Sequence, residues 1–308
     1  MDMKTGSRIA NIRGVPIRIH PTFLLVLPFF AYGFARDLTA AAQRAGVPAE
    51  RLALSPWVYG LGIALALFAS VLVHELAHSL YAIRKGGHVA DIVLLPIGGV
   101  SEITDPPKTP GQEAVMALVG PATSLGLGAI FFAMLALVRP LHEFELSFAF
   151  FYLCYMNVSL GLFNLLPAFP MDGGRILRGV VARKMGVVRA TEIAATVGKI
   201  FALLFAAIGF VTGNFVLLLI AFFVFVGGEA EKGTVLVHSA VSDLRVRDVM
   251  TQADPVDADD RVVDALRTLE EKHLSHVPVK HDGTLVGVFG RDEVVQHVRR
   301  RGSESSLH

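Results

Sequence analysis

Within the apolar run VLVHELAHSL, residues 71–80, two histidines stand four apart with a glutamate beside the first. On a helix, positions i and i+4 share a face, so His74 and His78 can offer their imidazoles to one ion, at a spacing that suits zinc. Glu75 is then placed to accept a proton from a water that such a metal activates. It is also the one carboxylate well inside an apolar stretch, where a charged side chain costs about 2.5–3.5 kcal/mol on insertion scales. An expensive acid beside two ligand-type residues points to chemistry rather than packing. A catalytic zinc takes three protein ligands and leaves one position open. The nearest acid adjoining another apolar stretch is Asp172, in LLPAFPMDGGR; its competing role is that of an ordinary turn residue, since the flanking prolines and glycines have turn chemistry.

The elements that must carry these residues are dictated by composition. Hydrophobic residues make up 53% of the 308, and charge is confined to particular stretches, as expected where lipid replaces water as the main solvent. The net charge of +1 gives no electrostatic case for binding nucleic acid. A lone cysteine, Cys154, excludes a disulfide framework and a thiolate zinc cluster. A spanning helix needs about 20 apolar residues, and six candidates lie near 19–35, 57–83, 113–138, 147–169, 190–211 and 214–228. The N-terminal apolar run has basic residues before it and no small-residue cleavage site, which reads as a retained first helix.

Placing the N-terminus inside puts Lys4, Arg8, Arg13, Arg18, Arg84, Lys85, Lys108, Arg175, Arg178, Arg183, Lys184 and Arg189 on the cytoplasmic face, against Arg36, Arg44, Arg51 and Arg139 outside. That asymmetry predicts a multi-pass protein of the cell (plasma) membrane with both termini cytoplasmic. It also puts the HELAH run in the cytoplasmic half of the second helix. Residues 86–104, rich in β-branched residues and glycine pairs, read as short strands, a backbone tolerated at membrane depth only against protein or a wet cavity. The fourth span is expected to break into an irregular turn at 165–175.

HELAHSL followed about a hundred residues later by NLLPAFPMDGGR resembles the site-2 protease family of intramembrane zinc metalloproteases (peptidase family M50). Supporting stretches are GVPIRIHPTFLL at 14–25, LLPIGGVSEI at 94–103 and EAVMALVGPATSL at 113–125, so the resemblance covers roughly residues 8–228. It implies one Zn2+ per subunit on His74, His78 and Asp172, Glu75 as general base, and Asn164 as a substrate or oxyanion contact. Ala77 stands where the family often has glycine, and Met171 where it usually has leucine; both changes are conservative. The implied activity is metalloendopeptidase: cleavage in or near a transmembrane segment of a membrane-anchored protein substrate, as in regulated intramembrane proteolysis of an anti-sigma factor. Of the other polar residues, His20 reads as an interfacial structural residue, Asn157 as a bond between helices, and Lys199 as a side chain snorkelling to the basic face.

From about residue 243 charged residues alternate with Val and Leu in a strand, helix, strand, strand, helix order. VRDVMT, ALRTLEEKHLSHVPV and GTLVGVFGRDEV are similar to one cystathionine β-synthase (CBS) motif. Such motifs work in pairs, so a single copy implies a homodimer. The family's modules often bind adenine nucleotides, but Gly290 and Glu293 replace the usual Thr or Ser and Asp of that signature, which favours dimerisation over nucleotide sensing. The fold class expected is therefore an all-α polytopic membrane protein of about six transmembrane helices with a short membrane-associated β segment, plus an α+β CBS module. Its division is 1–228 transmembrane, 229–242 linker, 243–301 CBS motif and 302–308 disordered tail. Two rival readings are a CBS-regulated membrane transporter and a catalytically inactive zinc-binding scaffold.

Overall fold

A computed structural model describes residues 6–48, 52–96, 98–104, 109–141, 143–242, 244–251 and 253–294. Lys4, Arg51 and Lys108 of the charge asymmetry, the end of the CBS motif and the 302–308 tail lie outside the described residues. The chain forms two compact units, Met1–Ala240 and Val241–His308.

The first unit opens with strands β1 (Ser7–Ile12) and β2 (Val15–Ile19), followed by helices α1 (Phe23–Arg44) and α2 (Pro56–Arg84). Strands β3 (Val89–Leu95) and β4 (Gly98–Ile103) come next, then helices α3 (Pro110–Val138), α4 (Phe144–Asn164), α5 (Asp172–Met185), α6 (Val187–Thr212) and α7 (Phe215–Ser242). Local chemistry fixes several ends. Pro56 and Pro110 occupy first-turn positions where a missing N–H costs nothing, and the Thr109 hydroxyl accepts from the backbone N–H of Gln112. Gly213, at φ 65°, closes α6 in the left-handed conformation that favours glycine.

Among the described residues five helices, α1, α2, α3, α4 and α6, are long and apolar enough to cross a membrane, against the six expected. The sixth candidate is the front of α7, where the apolar run 215–228 gives way to Glu229, Glu231 and Lys232 within the same helix. The residues expected as a linker, 229–242, continue that helix. The first span begins later than expected, at Phe23, because Val15–Ile19 alternates as a strand with Val15 and Ile17 buried. Small residues let helices approach closely, as lipid offers no hydrophobic drive between them. A Cβ on Gly60 of α2 would lie 2.2 Å from the Ala31 carbonyl oxygen of α1, and one on Gly128 of α3 would lie 2.7 Å from Val158 of α4.

The strands expected at 86–104 are the hairpin of β3 and β4, and they belong to a larger four-stranded sheet in the order β1-β2-β3-β4. Its N-terminal half was not anticipated. β2 pairs with β3 in parallel, Ile17 beside Ile92, while β1–β2 and β3–β4 are antiparallel. β3 is internal and buries Ile92, Val93 and Leu94; β4 is an edge. In β4, Gly99 sits opposite Leu94 and Ser101 opposite Ile92, which places both on one face of the strand.

The second unit holds the short helix α8 (Val246–Val249), strand β5 (Val256–Asp257), helix α9 (Val262–Glu271) and strands β6 (His276–His281) and β7 (Thr284–Gly290), in the sheet order β5-β6-β7. Ala265 and Leu269 of α9 and Val277 of β6 are buried. Leu285, Val286 and Val288 of β7 stay exposed.

Candidate metal centre

His74 and His78 lie one turn apart in the last third of α2, and both are buried. Their Nδ1 atoms are tethered to α3: His78 Nδ1 to the Met116 carbonyl oxygen at 2.7 Å, and His74 Nδ1 to Ser124 Oγ at 2.9 Å. A carbonyl can only accept, so the His78 Nδ1–H donates and the Nε2 lone pair is left available to a metal. Both Nε2 atoms converge on Asp172 Oδ2 at 3.2 Å, and they are 3.2 Å from each other.

Asp172, 98 residues after His74, arrives by a tight fold. α4 stops at Asn164, an irregular turn follows, and Asp172 opens α5 rather than ending the fourth span as the sequence suggested. The glycines after it permit this. A Cβ on Gly173 would lie 2.1 Å from the Leu166 carbonyl oxygen, and one on Gly174 2.6 Å from the Ala168 carbonyl carbon.

These three atoms fit a metal. With bond lengths of about 2.0–2.1 Å, two ligands of a tetrahedral zinc stand about 3.3 Å apart, and each edge of the His74, His78, Asp172 triangle is 3.2 Å. Gly120 of α3 leaves the space beside it, since a Cβ there would come 2.1 Å from His78 Nε2 and 2.7 Å from His74 Nε2. Two imidazoles and a carboxylate match the donor set of zinc hydrolases that keep one coordination position open. Among the described residues a second group with ligand-like spacing, Asp257, Asp259 and His281, lies in the second unit and is mostly exposed.

Glu75 faces β4. Its Oε2 accepts from Ser101 Oγ at 2.8 Å, and Gly99 lies so close that a Cβ there would meet Glu75 Cγ at 2.4 Å. A cavity of about 670 Å3 brings together His74, Glu75, His78, Asp172 and Asn164, with walls from β4, apolar side chains of α2 and α4, and Phe223 of α7. Asn164 lines the cavity while its Nδ2 donates to the Leu160 carbonyl oxygen at 3.0 Å.

The remaining sequence candidates sit elsewhere in the architecture. Asn157 joins helices, donating to Ser70 Oγ of α2 at 3.2 Å. His20 is buried at the start of α1 with Nδ1 2.6 Å from Thr22 Oγ1. Lys199 does not simply snorkel; it pairs with Glu229 of α7 at 2.9 Å. Sequence reasoning missed Ser101, Ser124, the Met116 carbonyl, Gly99 and Gly120. Their only signal was position, within LLPIGGVSEI and EAVMALVGPATSL, two of the stretches that carry the family resemblance.

A membrane-embedded HExxH helix completed by a carboxylate from a distant turn defines the class of intramembrane zinc metalloproteases. Residues 62–141 and 139–205 match peptidase family M50, and residues 246–300 match the CBS domain. A zinc metalloprotease of Methanocaldococcus jannaschii is 32% identical over 291 residues, covering 94% of this chain and 79% of that one. The Rip3 protein of Mycobacterium tuberculosis is 34% identical, covering 99% and 79%. The solved structure of a site-2 protease from Methanocaldococcus jannaschii aligns with TM-score 0.50 and 33% identity over 74% of this chain and 95% of that one. The chain belongs to peptidase family M50, the site-2 proteases, and carries a C-terminal CBS domain. It is a metalloendopeptidase of a family whose metal is zinc.

Proposed function

We propose that this protein hydrolyses a peptide bond in or near a transmembrane segment of a membrane-anchored substrate, in regulated intramembrane proteolysis of a signalling protein such as an anti-sigma factor. The observation that carries the reading is the triangle of His74 Nε2, His78 Nε2 and Asp172 Oδ2, each 3.2 Å from the others, with Glu75 opening on the same cavity. His74, His78 and Asp172 hold one zinc. Zinc, when bound there, supplies the Lewis acidity that polarises a scissile carbonyl and brings the pKa of water towards about 7.

The chain's own residues do the rest. Glu75 accepts the proton of the attacking water and delivers it to the leaving amine. Asn164, once its amide turns from Leu160, donates to the oxyanion. A helical substrate hides its carbonyls in i to i−4 bonds and must unwind, and pairing along the outer edge of β4 replaces the bonds it loses. The apolar cavity walls exclude bulk water from the reacting carbonyl.

In this reading α7 completes an even number of crossings in the plasma membrane, with both termini cytoplasmic. The CBS module pairs with that of a second copy, burying the exposed face of β7. Adenine nucleotide is a secondary ligand at most, given Gly290 and Glu293.

The test uses the purified full chain in detergent and single-span peptides drawn from a panel of membrane-anchored signalling proteins. Wild type cuts at least one of them. Glu75→Gln abolishes that cleavage, by about 10^3-fold or more, with zinc still bound at one per chain; Asp172→Ala loses both cleavage and zinc. Cleavage that persists in Glu75→Gln contradicts the assigned base, and a wild-type chain that holds zinc but cuts nothing marks an inactive scaffold.

A further inference from the structure

β4 does more than border the cavity. Gly99 and Ser101, two residues apart on one face of the strand, both meet the Glu75 side chain. Gly99 leaves room for the Glu75 methylenes, since any Cβ there would collide with Cγ at 2.4 Å. Ser101 Oγ donates to Glu75 Oε2 at 2.8 Å and in turn accepts from Ser79 Oγ at 3.2 Å. Ser79, one turn after Glu75 on α2, is fully buried, so its hydroxyl proton has few other destinations. A relay Ser79 to Ser101 to Glu75 thus ties Oε2 to the strand and leaves Oε1 outside that hydrogen bond, on a side chain that lines the cavity.

A carboxylate on a flexible side chain loses rate when it samples several rotamers, because proton transfer needs heavy atoms within about 2.6–3.2 Å. A hydrogen bond to an ionised acceptor is roughly twice as strong as a neutral one. We infer that Ser101 is a positioning residue for Glu75, backed by Ser79, so that the same strand offered to substrate also sets the orientation of the general base. This rests on the reading of Glu75 as base. It goes beyond that reading by assigning a role to a hydroxyl outside the HExxH run.

The decisive pair is Ser101→Thr against Ser101→Val in the full-length, zinc-loaded chain. Both are β-branched and suited to a strand; only threonine keeps the hydroxyl. The probe is a single-span peptide that wild type cuts. Ser101→Val lowers kcat by about 10- to 100-fold with KM within about threefold of wild type, and zinc stays at one per chain. Ser101→Thr restores kcat to within about threefold, and Ser79→Ala costs less than Ser101→Val because it acts through Ser101. In a structure of Ser101→Val the Glu75 carboxylate leaves its place against β4. Wild-type kcat in Ser101→Val, equal loss in both variants, or an effect confined to KM overturns the assignment. Full activity of Glu75→Gln would sink the base itself, a separate failure read in the same assay.

Discussion

At the residue scale, the proposed metal centre depends on what surrounds its ligands as much as on the ligands. The hydroxyl of Ser124 and the carbonyl of Met116 fix the two imidazole rings from behind, and outer partners of this kind are worth about 10- to 100-fold in metal affinity. Ser124→Ala is therefore expected to weaken zinc binding by about 10-fold or more while leaving the fold intact, which competition with a chelator measures. Gly120→Ala is expected to be harsher, since its methyl would arrive 2.1 Å from His78 Nε2. Metal analysis should find that variant without zinc even when its circular dichroism matches wild type. His74, Glu75 and His78 were legible because helical periodicity alone puts i and i+4 together. Asp172 was legible only as a carboxylate beside an incomplete set. Ser101, Ser124 and Gly120 were not, because their importance comes from which helix or strand faces which, and a single sequence carries no such distance.

At the scale of elements, α5 is the piece that sequence reading did not supply. Its glycine-rich start and four basic residues looked like a turn followed by a cytoplasmic loop, whereas they form an amphipathic helix that delivers Asp172. Arg178, two turns on, is buried and braces that helix on both sides. Its Nε donates to Glu113 of α3 at 2.9 Å, its Nη1 donates to Glu231 of α7 at 3.0 Å, and its guanidinium lies 5.0 Å from the centre of the Phe169 ring. Removing one member of a buried ion network strands the others and costs about 3 kcal/mol. Arg178→Met should therefore lower the midpoint of thermal unfolding in detergent and also weaken zinc retention, because Asp172 rides on the same helix. A variant with unchanged stability and zinc content would show that the brace is dispensable. The N-terminal hairpin escaped notice for a related reason. Its alternation is short, and it runs directly into an apolar helix that dominates any hydropathy window.

At the scale of the whole molecule, five helices among the described residues have the length and composition to cross a membrane, and α7 joins an apolar front to a rear that opens with Glu229, Glu231 and Lys232 in one continuous element. Fusing a reporter that is active only in the cytoplasm after Ser242 should give signal, and the same reporter inserted at Gly213 should not; signal at both positions would place α7 wholly on one side of the membrane, and the reverse result would invert its orientation. The CBS unit presents Leu285, Val286 and Val288 to solvent, so sedimentation in detergent is expected to give a dimer that Val286→Glu and Val288→Glu together reduce to a monomer. The broad architecture was readable from hydropathy and charge, because a bilayer imposes length and sign on every segment. The length of α7 was less so, because Glu229, Glu231 and Lys232 continue a helix that hydropathy alone would end at residue 228.

The most direct measurement of the central claim is anomalous scattering at the zinc absorption edge from crystals of the zinc-loaded wild-type chain. One strong peak is expected, within about 2.0–2.2 Å of His74 Nε2, His78 Nε2 and an Asp172 carboxylate oxygen, on the cavity side that Glu75 faces. A peak bound by the two histidines with Asp172 turned away, or zinc held elsewhere in the chain, would contradict it.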